Sequence, residues 1–147
     1  MASSGVTSDP YRRYRPWFFA AAIYNAIWGI AASVAPAFFL RLAGIEGRGA
    51  EVLFMTIGMM VGVYAYGYWL IARDPERYAG LVWIGLAGKT FGPIGFLISA
   101  LRGDLNWAFG LTILFNDLIW WPSFWSFALR HARRPLENSE AAGFRLL

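Results

Sequence analysis

The sequence predicts an all-α integral membrane protein, a four-helix bundle of antiparallel, up-down topology. Three observations carry that reading. Of its 147 residues, 58% are hydrophobic and 15% charged, and the mean hydropathy is +0.44, outside the usual range of a water-soluble domain. The apolar residues gather into four blocks, 17–38, 52–72, 79–101 and 107–128, each 21–23 residues long. Such a block reaches across a hydrocarbon core of about 30 Å at about 1.5 Å per residue. The links are short, and short links join antiparallel neighbours. Transmembrane strands would need only about ten residues each, with alternating polarity, a pattern that is missing here.

The elements follow in order. Residues 1–16 form a cytoplasmic N-terminal segment ending in Arg12, Arg13 and Arg15. The first apolar block is too long for the core of a signal peptide and three more blocks follow it, so it is read as a retained helix. The link 39–51 carries Gly44, Gly47 and Gly49, and a helical turn at the membrane interface is expected over 36–42. Asp74 and Pro75 suit the cap and first position of a helix, which starts the third block near residue 79. Arg102-Gly103-Asp104-Leu105-Asn106 makes the last tight turn. Residues 129–147 form a polar C-terminal tail on the same side as the N-terminus.

Charge sets the orientation. Nine arginines (12, 13, 15, 73, 77, 130, 133, 134 and 145) lie on the side of both termini, against Arg41, Arg48 and Arg102 on the other. The richer side belongs in the cytoplasm. Because these arginines mark the ends of apolar blocks instead of a polar helix face, the net charge of +4 does not point to nucleic acid. There is no cysteine, which removes thiolate metal sites, thiol redox chemistry and cysteine nucleophiles. The lone His131, among arginines beyond the fourth block, is read as a surface residue, and no metal site is expected.

Only Lys89 and Asp117 carry charge inside the blocks. Each lies mid-block on adjacent antiparallel helices, so they share a depth and are expected to pair. A lone charge at the bilayer centre costs about 2.5–3.5 kcal/mol on insertion scales. Asn25 and Asn116 lie at a similar depth and are expected to satisfy the remaining donors and acceptors. Pro93 and Pro122 remove the helical partners of the carbonyls at 89 and 118 and predict kinks beside the pair. Gly85, Gly88, Gly92 and Gly95 mark one face of the third span, and Gly58 and Gly62 form a GxxxG in the second. Both are read as helix-packing faces. No catalytic constellation is visible.

Several strings together resemble a family of small, uncharacterised bacterial four-span membrane proteins. They are Tyr24-Asn25, Trp28-Gly29, Gly62-Val63-Tyr64-Ala65-Tyr66-Gly67-Tyr68, Asp74-Pro75-Glu76-Arg77, Gly88-Lys89, Gly92-Pro93-Ile94-Gly95-Phe96 and Asn116-Asp117-Leu118-Ile119-Trp120-Trp121. The resemblance covers roughly residues 17–128 and implies the bacterial inner membrane, but no activity. Some members of that family are named alkyl hydroperoxide reductase. This cysteine-free chain lacks the thiolate such peroxide reduction uses. The layout is also similar to that of DoxX-like proteins.

The function expected from the sequence is a non-enzymatic accessory or structural subunit of a larger membrane assembly, with lipids, other membrane subunits or further copies of itself as partners and no identifiable cofactor. Two alternatives stand beside it. One is a protein that binds a lipid-like or hydrophobic small molecule, or a small enzyme, using the Lys89–Asp117 site; the other is an oligomer that moves protons or small solutes.

Overall fold

The computed structural model describes residues 9–132. The tail readings for residues 1–8 and 133–147 fall outside the described residues. Helix α1 (Arg15–Val34) stops at Ala35, because the residue before a proline is disfavoured in the α region. The first span thus ends four residues earlier than expected, at Val34 instead of residue 38, and begins two residues earlier, at Arg15. Pro36 opens a short helix, α2 (Pro36–Ala43). Gly44 ends it at φ +76, with the Gly44 and Ile45 N–H groups bonded back to the carbonyls of Arg41 and Leu40. This paired closure needs a left-handed residue, the natural place for glycine.

Helix α3 (Arg48–Arg73) starts before the second apolar block does. Asp74 caps the single turn α4 (Pro75–Tyr78), its carboxylate accepting from the Arg77 N–H at 3.1 Å. Helix α5 (Leu81–Leu101) then runs through Pro93. Among the described residues, α1, α3 and α5 are each long and apolar enough to cross a membrane.

The fourth block departs from expectation, because it is not one helix. It opens with a 3-10 turn at Trp107–Phe109 and continues as α6 (Gly110–Asn116). The α-helix breaks at Asp117 (φ −121, ψ −62), passes through a 3-10 turn at Leu118–Trp120 and resumes as α7 (Trp121–His131). Pro122 therefore sits in the first turn of a new helix, where its missing N–H costs nothing, and does not kink a continuous one. The interruption lies upstream, at Asp117 itself.

Side-chain contacts give the directions of the helices. Arg15 donates to the carbonyls of Ala72 and Arg73, and Ser33 reaches the Met55 carbonyl, so α1 and α3 are antiparallel. Tyr14 bonds Ser126 while Tyr24 meets Trp120, which sets α1 antiparallel to α7. The chain closes into a ring of α1, α3, α5 and the α6–α7 pair. An aromatic cluster around Phe18, Tyr68, Phe124 and Phe127 fills the end that holds Arg12, Arg13, Arg15 and Arg130. A smaller one, with Phe39, Leu40 and Phe54 beside Trp28 and Phe109, fills the other. Ile23, Ile27, Ile30, Val34, Val52 and Val63 point outward, the distribution of a protein whose outer solvent is lipid.

The closest approach is between α1 and α3. A methyl group on Gly29 would lie 2.8 Å from the Gly58 carbonyl oxygen and the Gly62 backbone, and one on Gly58 would meet Ser33. Gly29 is thus a packing residue that the GxxxG reading left out. On α5, Gly85 and Gly88 lie against Tyr68 and Tyr64, and Gly92 against the Asp117 carboxylate, whereas a methyl on Gly95 would meet nothing within 4 Å. Gly95 therefore does not belong to the packing face. Gly29→Ala is expected to lower stability by about 1–3 kcal/mol through overpacking against backbone. Gly95→Ala is expected to change it by less than about 0.5 kcal/mol, and thermal unfolding in one detergent compares the two.

Candidate functional site

The interior polar site is built from two interrupted helices that complete each other. Pro93 has no N–H, so the Lys89 carbonyl lacks its donor within α5. The Trp121 indole supplies one from the start of α7, at 3.0 Å. Across the interface, the 3-10 turn after Asp117 gives the Trp120 N–H to the Asp117 carbonyl, leaving the Asn116 carbonyl without its α-helical donor. The Lys89 ammonium donates to that carbonyl. Trp120 closes the set by donating its indole N–H to the Phe115 carbonyl at 2.9 Å.

The side chains of Lys89 and Asp117 are almost wholly buried and stand 3.7 Å apart, Nζ to Oδ1. That separation makes an ion pair but not a short hydrogen bond. The carboxylate also accepts from Asn116 Nδ2 at 3.0 Å, and the ammonium lies 5.6 Å over the Tyr68 ring. Gly92 leaves room for the carboxylate, since a methyl there would stand 3.1 Å from Oδ2. The pair is neutral as a unit.

Asn25 behaves differently from the expectation. It is 1% exposed, yet among the described residues neither its Nδ2 nor its Oδ1 has a hydrogen-bond partner. It therefore does not satisfy the ion pair. Asn116 does, through its Nδ2 and its backbone carbonyl, but its own Oδ1 is left unbonded, as is Trp28 Nε1. Each such atom costs about 1–3 kcal/mol when nothing answers it.

These atoms surround a common space. A partly open cavity of about 370 Å³ lies between the helices, with Asn25, Trp28, Lys89, Asn116 and Asp117 in its wall. The rest of its wall includes Ile57, Val61 and Ile113, with Leu40, Ala43 and Leu105 where α2 meets the link between α5 and α6. Gly85, Gly88 and Gly92 form part of the wall, so the glycine face of α5 holds space open as much as it packs. The size is at the small end of the range of about 300–1,000 Å³ typical of ligand pockets.

Trp28, Tyr64 and Tyr68 line the cavity and Trp121 bonds the Lys89 carbonyl, although the sequence places none of them in the polar site and points to Tyr64, Tyr68 and Trp121 as packing and interfacial aromatics. The three-residue step from Asn25 to Trp28 places both on one face of α1, and Pro93 pointed to the very carbonyl that Trp121 occupies. His131 packs its ring against Tyr11, Tyr14 and Phe127 at the arginine-rich end. Partial burial, then Arg13 and Arg130, hold its pKa below the ordinary value. Among the described residues no group of three or more His, Cys, Asp or Glu side chains gathers to hold a metal. No family model, curated protein or solved structure matches this chain.

Lys89→Met is expected to destabilise the protein by about 3 kcal/mol, by stranding Asp117 in the interior. Combining it with Asp117→Leu should restore most of that stability, less the cost of the Asn116 carbonyl left without its donor. A double variant as unstable as the sum of its parts would mean that the two charges do not act as one unit. Denaturation of all three variants in the same micelle gives the comparison.

Proposed function

We propose that this polytopic membrane protein crosses the membrane four times, with both termini in the cytoplasm of a bacterial inner membrane, and holds a small lipid-like molecule in its central cavity. The observation that carries the binding reading is the cavity itself, whose largely apolar wall includes buried polar side chains with unanswered hydrogen-bonding atoms. Apolar enclosure with a few convergent polar groups is the usual build of a small-molecule site. It favours ligand binding over the accessory-subunit and transport readings.

Access from the bilayer has a structural basis. A second, apolar hollow on the outer face between α3 and α5 is lined by Met60, Val63, Leu81 and Ile84, and it shares Tyr64 and Tyr68 with the central cavity. The two tyrosines thus stand between the lipid-facing groove and the interior. A rotamer change in either is a smaller motion than separating two helices.

The fourth crossing is the interrupted α6–α7 segment. Its broken backbone is compatible with a bilayer because the freed carbonyls are answered by Lys89 and Trp120 inside the protein. The orientation follows from the arginines gathered at the end formed by the start of α1, α4 and the end of α7.

Because the chain has no cysteine, single cysteines report topology cleanly. A membrane-impermeant maleimide should label Asp104→Cys on intact spheroplasts, and Glu76→Cys only after permeabilisation. Labelling of both from outside would overturn the crossing number, and the reverse pattern would overturn the orientation. For the cavity, native mass spectrometry of protein released from mild detergent should retain a bound small molecule. Val61→Phe, which grows into the cavity, should lose it while unfolding at a similar temperature. A protein that is always empty, or a variant that retains the molecule equally, would overturn the binding reading.

A further inference from the structure

We infer that the molecule held in the cavity has an uncharged, hydroxyl-bearing head, bound by Asn25 and Trp28 on α1 and not by the charge of Lys89. The inference rests on the cavity being a ligand site and adds the chemistry of its head. Charge balance gives the first constraint. Lys89 and Asp117 already neutralise each other at 3.7 Å, both deeply buried. An anionic head drawn to Lys89 would compete with Asp117 and leave one negative charge in excess in a low-dielectric interior. A cationic head would do the reverse. A neutral head disturbs nothing.

Hydrogen-bond inventory gives the second. Among the described residues, four buried polar atoms around the cavity have no partner, namely Asn25 Nδ2, Asn25 Oδ1, Trp28 Nε1 and Asn116 Oδ1. Two groups donate and two accept. A ketone or ester carbonyl only accepts and would leave both amide oxygens unanswered. A hydroxyl accepts from the Trp28 indole or the Asn25 amide and donates to an amide oxygen in the same pose. Interchanging the Asn25 oxygen and nitrogen leaves this inventory unchanged, so the argument does not depend on which way the amide is turned.

Shape gives the third. Water also donates and accepts, but most of the remaining wall is apolar, with Ile57, Val61, Ile113 and Leu40 among its residues, and an apolar wall of that kind does not hold water well. A molecule with one hydroxyl and an apolar body answers both the unbonded polar atoms and the apolar wall. A long-chain alcohol is the simplest representative of the class.

Photo-crosslinking in nanodiscs tests this. Three probes with the same twelve-carbon chain and a mid-chain diazirine are compared: an alcohol, a carboxylate and a hydrocarbon. For each, adducts on the cavity-lining Val61 and Ile113 are divided by adducts on the lipid-facing Ile23 and Ile27, which corrects for partition into the bilayer. The alcohol should give a ratio roughly tenfold above the other two, the scale of one or two net hydrogen bonds. Asn25→Leu and Trp28→Phe should each bring it down toward the hydrocarbon value. Trp28→Phe keeps the ring, so it carries the test if Asn25→Leu does not fold. An alcohol no better than the hydrocarbon would overturn the assignment of the head while leaving the cavity reading intact. So would a carboxylate that labels best, which would mean that Lys89 captures an anion. If no probe marks the cavity, both readings fall together.

Discussion

Everything in the interior depends on the exchange of hydrogen bonds between the middle of α5 and the break between α6 and α7. Pro93 opens one helix at the Lys89 carbonyl, and the turn after Asp117 opens the other at the Asn116 carbonyl. Trp121 answers the first and the Lys89 ammonium answers the second. In a bilayer no water is at hand to do either, and an unanswered backbone group there is expensive. Neither interrupted helix is satisfactory alone. Lys89 is thus both a helix residue with a borrowed donor and the donor that its neighbour borrows.

That exchange also explains why the charges are tolerated. The ammonium has the Asn116 carbonyl, the nearby carboxylate and the Tyr68 and Phe124 rings around it, and the carboxylate has the Asn116 amide. A buried ion pair gains little by itself, because desolvation offsets most of the attraction. Here Lys89 also closes a backbone gap, a task that a neutral apolar residue would leave undone. The residues around the pair are small on α5 and aromatic on the facing helices, which brings backbones close near Tyr68 and leaves space beyond it. The cavity is what remains between the two aromatic clusters.

The two asparagines differ in whether the structure gives them partners. Asn116 is tied into the ion pair and is part of the scaffold. Asn25 sits in the same cavity wall with both amide atoms unbonded, although it could have been replaced by an apolar residue at lower cost if it served only packing. That unbonded amide is the feature on which the proposed ligand reading rests. This moves the centre of interest from the charged pair to the face of α1 that carries Asn25 and Trp28.

The sequence by itself determined the solvent of this protein, its α-helical class, the approximate place of each apolar segment and the pairing of Lys89 with Asp117. These follow from length, hydropathy and the cost of charge in an apolar medium, and they need no knowledge of neighbours. It also placed α2 and the Asp74 cap, because proline and glycine act locally. Only the tertiary structure decided that the fourth apolar block breaks at Asp117, that Gly29 and not Gly95 makes a close contact, and that Asn25 stands apart from the ion pair. Each of these depends on which group from another helix lies within about 3 Å, the reach of a hydrogen bond. Spacing along one chain carries no such information. The cavity belongs to the same class: it is set by side chains that fail to meet, and a sequence records the side chains but not the gap between them.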